Sequence, residues 1–411
     1  MMAAIRAGEL RGKVILVEKN ASLGKKLLLT GKCRCNLTNA CGPEEFLERF
    51  SGRGQFLRDA FKAFFNKDLM SFFEERGVSV KTERQQRVFP VTDKSTDILE
   101  VLQKELLKHK VKIIYNAEVK EIITEKGAVK SLRLNNGAMI SCGAVILATG
   151  GVSYPSTGST GDGLRIAEQL GHVTVKPMPG LVPLIIKENY PKLLEGLALK
   201  NIRLVFTDGK KTIVSEVGEL LFTGFGISGP LVLTLSGRIV DWLSQGKNVY
   251  VDIDLKPALS EEQINERLLR EIKQNPKKLI KNLLKDFLPA RLIDVFLDIS
   301  KVRQDTVVSY ITQENRKTLA SVLKALRFRV FKARPLNTAM ITRGGVSLKN
   351  IDPRTMTSRI VKGLYFAGEI IDVDADTGGF NLQAAFSTGY LAGESAAGFS
   401  TRLRSLEEYQ L

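Results

Sequence analysis

A strand, a glycine turn and a small-residue helix run together between Gly363 and Ala397 (GLYFAGEIIDVDADTGGFNLQAAFSTGYLAGESAA), and no other segment narrows the fold as much. The apolar run Leu364 to Ala367 reads as a buried strand that ends at Gly368-Glu369. An acidic loop follows, carrying Asp372, Asp374 and Asp376. Thr377-Gly378-Gly379-Phe380-Asn381 then opens a helix in which Ala384, Ala385, Ser387, Gly389, Ala392 and Gly393 are small. The first turn of such a helix offers backbone N–H groups with no intrahelical acceptor, and these receive phosphate or a polarised carbonyl oxygen. Small residues let other backbone or a flat ring come close. An ordinary βα turn with a tightly packed helix fits the glycines equally well.

At 411 residues the chain exceeds one hydrophobic core, so two or three domains are expected, and 44% hydrophobic content supports globular ones. A formal net charge of +17 favours contact with a polyanion or an anionic surface. No apolar run of about 18 residues and no apolar signal core are present, so neither membrane insertion nor export is expected. Four cysteines fit a reducing cytoplasm. Cys33, Cys35 and Cys41 lie close together, but structural zinc wants four ligands at paired spacings and Cys142 is far along the chain. With only His109 and His172 to add, no metal site is expected.

Met1 to Glu9 reads as a helix, and Lys13 to Glu18 (KVILVE) as a fully buried parallel strand ending in an acid. A carboxylate closing the second strand of a dinucleotide fold accepts hydrogen bonds from the adenosine ribose, with a glycine fingerprint roughly 20 residues earlier. Counting back from Glu18 passes Met1. The first strand and its G-x-G-x-x-G turn are therefore expected to be missing from this chain, through a misplaced start or a genuine shortening. Lys19 and the Gly24-Lys25-Lys26 turn place cations where phosphates would lie, and Thr30 to Asn39 (TGKCRCNLTN) is a loop rich in donors. A solvated strand end is the plain alternative for Glu18.

Helical periodicity covers Glu44 to Arg76 and Thr96 to Lys110, whereas Val111 to Ser141 reads as short strands broken at Asn135-Asn136-Gly137. Ala144 to Gly151 is a second buried strand with a glycine end, followed by a flexible turn segment, Tyr154 to Gly163. A parallel sheet interrupted by an antiparallel meander and resumed at an Ala-Thr-Gly strand is an arrangement associated with flavoproteins. Val182 to Val251 reads as mostly β. From Ser260 the pattern is helical, opened by a Ser260/Gln263 capping box. Leu255 to Arg334 carries 18 Lys and Arg against 9 Asp and Glu. A solvated helical face explains such a run; so does an RNA-gripping unit using Lys277, Lys278, Lys281 and Lys285 for phosphates. Aromatic residues for base stacking are sparse in it.

The chain closely resembles the BaiN/RdsA-like (YhiN-like, aminoacetone oxidase family) flavoproteins. The matching segments are KVILVEKNASLGKKLLLTGKCRCNLTN, RVFPVTDKSTDILEVL, VILATGGVSYPSTGSTGDG, GELLFTGFGISGPLVL and ITRGGVSLKNIDPRTMTSRIVKGLYFAGEIIDVDADTGGFNLQAAFSTGYLAG. The resemblance implies an α/β fold: a Rossmann-like FAD-binding domain from residues 1–181 and 340–411, a β-barrel-like insert from 182–254 and 328–339, and a basic helical subdomain from 255–327. It implies that Glu18, Lys19 and Lys26 hold the adenosine and phosphate half of FAD and that the Val119 backbone meets the adenine. Asn36 and Thr149, Gly150 and Gly151 would line the cofactor. Asp372 with Gly379, Phe380, Asn381 and Gln383 would close over the ribityl chain and ring, and Gly368, Glu369 and Gly378 are further cofactor-binding candidates. Cys33 stands where the family usually has glycine, and Gly224 where histidine is common.

No nucleophile elbow, Ser-His-Asp set or glycosidase-like carboxylate pair is present, and no second glycine fingerprint. NAD(P)H would then visit the flavin transiently as electron donor. Hydride transfer through FAD is the expected chemistry. By resemblance the leading substrate is a uridine C5–C6 double bond in 23S ribosomal RNA, reduced to dihydrouridine, with Cys35 nominated as the proton donor and packing behind the flavin as its alternative role. Reduction of a steroid or bile-acid-like enone, or amine oxidation, is the small-molecule alternative. A shortened, non-catalytic RNA-binding protein is the third. Oligomeric state is left open.

Overall fold

The computed structural model describes residues 1–408, with side chains to residue 399. It divides into two compact units: residues 1–180 with 336–408, and the inserted residues 181–335. Among the described residues no helix is long and apolar enough to cross a membrane.

The first unit is built on two parallel strand pairs. Ile15–Val17 lies beside Lys112–Ile114, and Leu364–Phe366 beside Val145–Leu147. The Lys13–Glu18 segment departs from a fully buried strand, since Ile15 keeps 41% of its surface. The reason is pairing: this strand has a hydrogen-bonded neighbour along one edge only. The meander forms as read, with Val119–Glu125, Ala128–Leu134 and Met139–Ser141 in antiparallel order and the second turn at Asn135 to Gly137.

The long helix Phe380–Glu408 organises this unit. Its small residues receive the first helix, Met2–Glu9: a Cβ on Gly393 would stand 2.3 Å from the Ala3 carbonyl oxygen, so only glycine allows this approach. Periodicity over Glu44 to Arg76 does not give one helix. The chain breaks into Pro43–Glu48, Arg58–Ala63 and Asn66–Glu74 around a 3₁₀ turn. At Gly54 it folds back so tightly that a Cβ would lie 2.0 Å from the Leu47 oxygen. The break lets Phe46, Phe61, Phe65 and Phe380 form one aromatic cluster, with Phe46 edge-on to Phe380 at 4.7 Å.

In the second unit six antiparallel strands close a ring: Ala198–Thr207, Gly218–Thr223, Gly226–Ser228, Leu184–Ile186, Leu326–Ala333 and Val249–Asp254, which returns to the first. A ring of strands has no free edge and encloses its core. Leu204, Phe206, Phe222, Val251 and Phe328 fill it. Helix Pro230–Ser244 falls within the segment read as mostly β. It is apolar on nearly every side, so its period is masked in the sequence. The Ser260/Gln263 capping box forms, with reciprocal bonds of 3.2 and 2.9 Å, and starts helix Glu261–Gln274. Ile264 and Leu268 carry that helix into the same core as the barrel.

Candidate functional site

Three chain segments meet at Glu369, just past the Leu364–Phe366 strand. Lys26, in the short helix Lys25–Leu29, donates to Glu369 Oε2 at 2.6 Å and to Ser153 Oγ at 2.8 Å. Glu369 Oε1 accepts from the Thr342 backbone N–H at 2.7 Å, and Thr342 Oγ1 accepts from the amides of Val152 and Ser153. Gly151 is obligatory here, because a Cβ would lie 2.2 Å from Thr342 Oγ1. Lys26 and Glu369 are thus partners of each other, each about three-quarters buried. Thr149 stays exposed at the mouth of this loop, and Gly150 turns beside Ser159 and Glu369 at φ +74°.

Glu18 closes its strand with an N–H bond to Ile114 O at 2.8 Å, and its carboxylate accepts from the Asn20 backbone and side-chain nitrogens, both at 2.8 Å. The Ala117 N–H returns to Glu18 O at 3.0 Å, which sets Val119 at the start of the meander close by. Asn20 also donates to Thr157 O at 2.9 Å. Lys19 is drawn to Thr160 and Asp162 and so ties down the glycine-rich segment. Burial pushes the Asp162 carboxyl up, but the Lys19 and Thr160 hydrogen bonds outweigh it and hold the group below its ordinary range. Hydrogen bonds therefore link Glu18 through Asn20 to Thr157, and Gly150 turns close to Ser159 and Glu369.

The start of the long helix is held by residues 36–39, which end in the short strand Thr38–Asn39. With its amide oriented to suit its neighbours, Asn36 accepts from Gly379 N–H at 3.0 Å. Asn39 donates to Gly378 O at 3.1 Å, and Thr38 Oγ1 donates to Gln383 Oε1 at 2.6 Å. Gly379 sits at φ +98° with Thr38 O only 2.3 Å from where a Cβ would stand. The first helical bond is Gln383 N–H to Gly379 O, so the amides of Phe380, Asn381 and Leu382 precede the ladder and are available to an oxygen. Asn381 turns its own side chain back onto Ala375 and Asp376, pinning the acidic loop. In that loop Asp372 is buried against Arg53. Burial pushes its carboxyl up, Arg53 pulls it down and Asp374 pushes it up again, leaving it above its ordinary range.

Cys35 has no exposed surface, and burial pushes its thiol up to about 12. It packs in one core cluster with Leu27, Leu37 and Phe64. Gly31, Lys32, Cys33 and Cys35 all adopt positive φ, a strained loop of the kind held in place by its surroundings. In this position the side chain backs the loop, and handing a proton to a substrate would require the loop to open.

Thr342, Ser153, Thr38, Asn39, Asn20, Asp162 and Arg53 are site-forming residues that sequence reasoning did not single out. Most carried a usable signal, being hydroxyls and amides inside the glycine-rich segments. Arg53 carried none, since its partner is 319 positions away. In the second unit Lys277 and Lys285 are exposed and Lys281 half-buried, while Lys278 pairs with Asp286 at 3.3 Å. Glu9, Glu105 and His109 converge, but Arg6 holds Glu9 and Arg76 holds Glu105, each near 3 Å. That composition makes an ion-pair network rather than a cation site.

The residues present fit FAD. A strand-end carboxylate suits a ribose, the Lys25–Lys26 turn suits phosphate, and the free amides opening a 29-residue helix suit a ring carbonyl. The family model described as HI0933-like protein Rossmann domain matches residues 1–395. The chain is 31% identical over 403 residues to a 3-dehydro-bile acid delta(4,6)-reductase of Clostridium scindens, covering 97% of this chain and 96% of that one. It is 32% identical over 396 residues to a ribosomal RNA dihydrouridine synthase of Haemophilus influenzae, covering 95% and 94%. Among solved structures, the 3-ketosteroid-delta4-(5alpha)-dehydrogenase of Rhodococcus jostii RHA1 shares the fold, with a TM-score of 0.51 at 14% identity over 96% of this chain and 94% of that one.

Proposed function

The chain belongs to the HI0933-like Rossmann domain family and is an FAD-dependent oxidoreductase; from that premise we propose that it reduces a uridine in 23S ribosomal RNA to dihydrouridine, with NAD(P)H as the transient donor. When bound, FAD would supply hydride chemistry for an activated C=C, whose electron-poor carbon in uridine is C6, with C5 taking a proton. Glu18 would accept the adenosine ribose hydroxyls and the Val119 backbone would border the adenine. Lys19 and Lys26 would face the phosphates while each also holds a carboxylate, Asp162 and Glu369, and the Lys26–Glu369–Thr342 lattice fixes Thr149 to Gly151 beside them. Asn36, Gly368, Gly378 and Gly379, with the first-turn amides of Phe380 and Asn381, orient the ring. Asp372 would close over the ribityl chain, whereas Gln383, fully buried and bonded to Thr38, Ser387 and Phe64, holds the helix start from behind. Cys35 backs the ring from inside the core.

The observation that carries the RNA reading is charge: about half of the net +17 falls between Leu255 and Arg334. Lys277, Lys281 and Lys285 supply part of that excess and would neutralise phosphates. The target base must be unstacked to reach a flavin, which suits single-stranded or partly folded RNA. Four free thiols fit a cytoplasmic place of work. The second reading, reduction of a bile-acid-like enone, is favoured by the equally extensive similarity to the Clostridium scindens reductase. The test supplies the protein anaerobically with NADPH and either unmodified 23S transcript or a 4-en-3-one steroid. A gain of two hydrogens on a uridine, seen by mass spectrometry, with the enone untouched, supports the proposal. The reverse outcome replaces it with the second reading.

A further inference from the structure

The barrel wall made by Val249–Asp254 and Leu326–Ala333 has two unlike sides. Val249, Val251, Phe328 and Val330 point inward and are buried. Alternation puts Tyr250, Asp252, Arg327 and Arg329 on the outer side, where register makes Tyr250 the neighbour of Arg329 and Asp252 that of Arg327. Arg327 holds Asp252 with two bonds of 2.7 Å and stands 6.0 Å from the Tyr250 ring. One step on, the ladder slips: Val330 faces Ile186 but Lys332 faces Ile185, so Phe331 is the extra residue of a bulge. Phe331 is 58% exposed, with Lys332 Nζ 5.4 Å from its ring. Lys187, also exposed, donates its N–H to Arg329 O at 2.9 Å. Neither Lys187 nor Lys332 has a carboxylate partner among the described residues.

We propose that this wall is a stacking platform for single-stranded RNA, on which Tyr250 and Phe331 take bases while Lys187, Arg329 and Lys332 take the flanking phosphates. The inference rests on the RNA reading above and supplies what the lysine-rich turn lacks, a surface for unpaired bases. Base–aromatic stacking tolerates any sequence, and rings bordered by cations are the usual form of such grooves. Protein-docking faces share the aromatic and Arg enrichment but are depleted of Lys; here Lys187 and Lys332, both exposed, flank the rings. Phe331 lies two residues beyond Arg329, the register partner of Tyr250.

The experiment measures fluorescence anisotropy of a labelled twelve-nucleotide oligouridine with the full-length protein at low and moderate salt. Tyr250→Leu/Phe331→Leu is expected to weaken binding roughly tenfold or more with an unchanged salt slope. Lys187→Gln/Lys332→Gln is expected to lower that slope by about 1.4, at about 0.7 per single-strand phosphate contact. Phe331→Leu alone, at an exposed position, guards against misfolding and should weaken binding several-fold. If the wild type binds and the leucine variants bind equally well, the platform is wrong and the RNA reading stands. If the wild type does not bind at low salt, both fall.

Discussion

Gly379→Ala puts the most weight on the smallest change. The added Cβ would stand 2.3 Å from the Thr38 carbonyl oxygen, on a backbone already at φ +98°. Thr38 cannot step aside freely, because its own strand pairs with Val88 and its hydroxyl is bonded to Gln383. Positive-φ strain of about 1–3 kcal/mol and overpacking of about 1–3 kcal/mol together give roughly 2–6 kcal/mol. If the loop rather than the whole fold absorbs it, the Gly379 N–H leaves Asn36 and the first-turn amides lose their aim. FAD affinity should then fall by at least about 30-fold, the equivalent of 2 kcal/mol. Gly389→Ala, in the same helix, meets nothing nearer than 3.5 Å and should be neutral or gain up to about 1 kcal/mol. Flavin fluorescence titration read beside thermal unfolding separates the two. A Gly379→Ala protein that holds FAD as tightly as wild type and melts at the same temperature would refute the reasoning.

Glu369→Gln keeps an acceptor for the Thr342 N–H but removes the charge that holds Lys26; a loss of about 1–2 kcal/mol is expected in thermal unfolding, and an unchanged melt would remove Glu369 as the tie between the three segments. Glu18→Ala should lower FAD occupancy of the purified protein, measured as flavin released on denaturation, and full occupancy would remove that residue from the cofactor's ribose. Burial raises the Cys35 thiol from its ordinary 9.0 to about 12, so between those values the unfolded chain sheds a proton that the native one keeps. Stability should therefore fall as pH rises above 9, by about 1.4 kcal/mol per unit from this thiol. Urea unfolding of wild type and Cys35→Ala at pH 8 and pH 10 checks it, parallel losses being the contrary result. In the native state Cys33 should alkylate well ahead of Cys35 and Cys41, and equal rates by mass spectrometry would contradict the burial.

The α/β layout was legible because strand ends, glycine turns and the Ser260 cap are local signals, whereas the residues of the insert read only as mostly β and its barrel-like form came from the family resemblance. Helix Pro230–Ser244 was not, since a helix buried nearly all round shows no amphipathic period, and strands are the natural reading of its Val- and Leu-rich run. The break at Gly54 was hidden because it depends on where the Leu47 oxygen lies in space. Lys26 and Glu369 could each be nominated from their loops, yet their pairing could not, being a contact across 343 positions. Phe331 shows the same limit, because a bulge is a property of register between strands.

The central claim is an FAD held by the Glu18–Asn39 segment, the Thr149–Ser153 loop and the start of the Phe380–Glu408 helix. Titrating flavin-stripped protein with FAD under native conditions, and counting the flavin that remains after gel filtration, tests it most directly. One FAD per chain, with quenched fluorescence, is the predicted result. Protein that stays colourless and leaves added FAD fully fluorescent would contradict it.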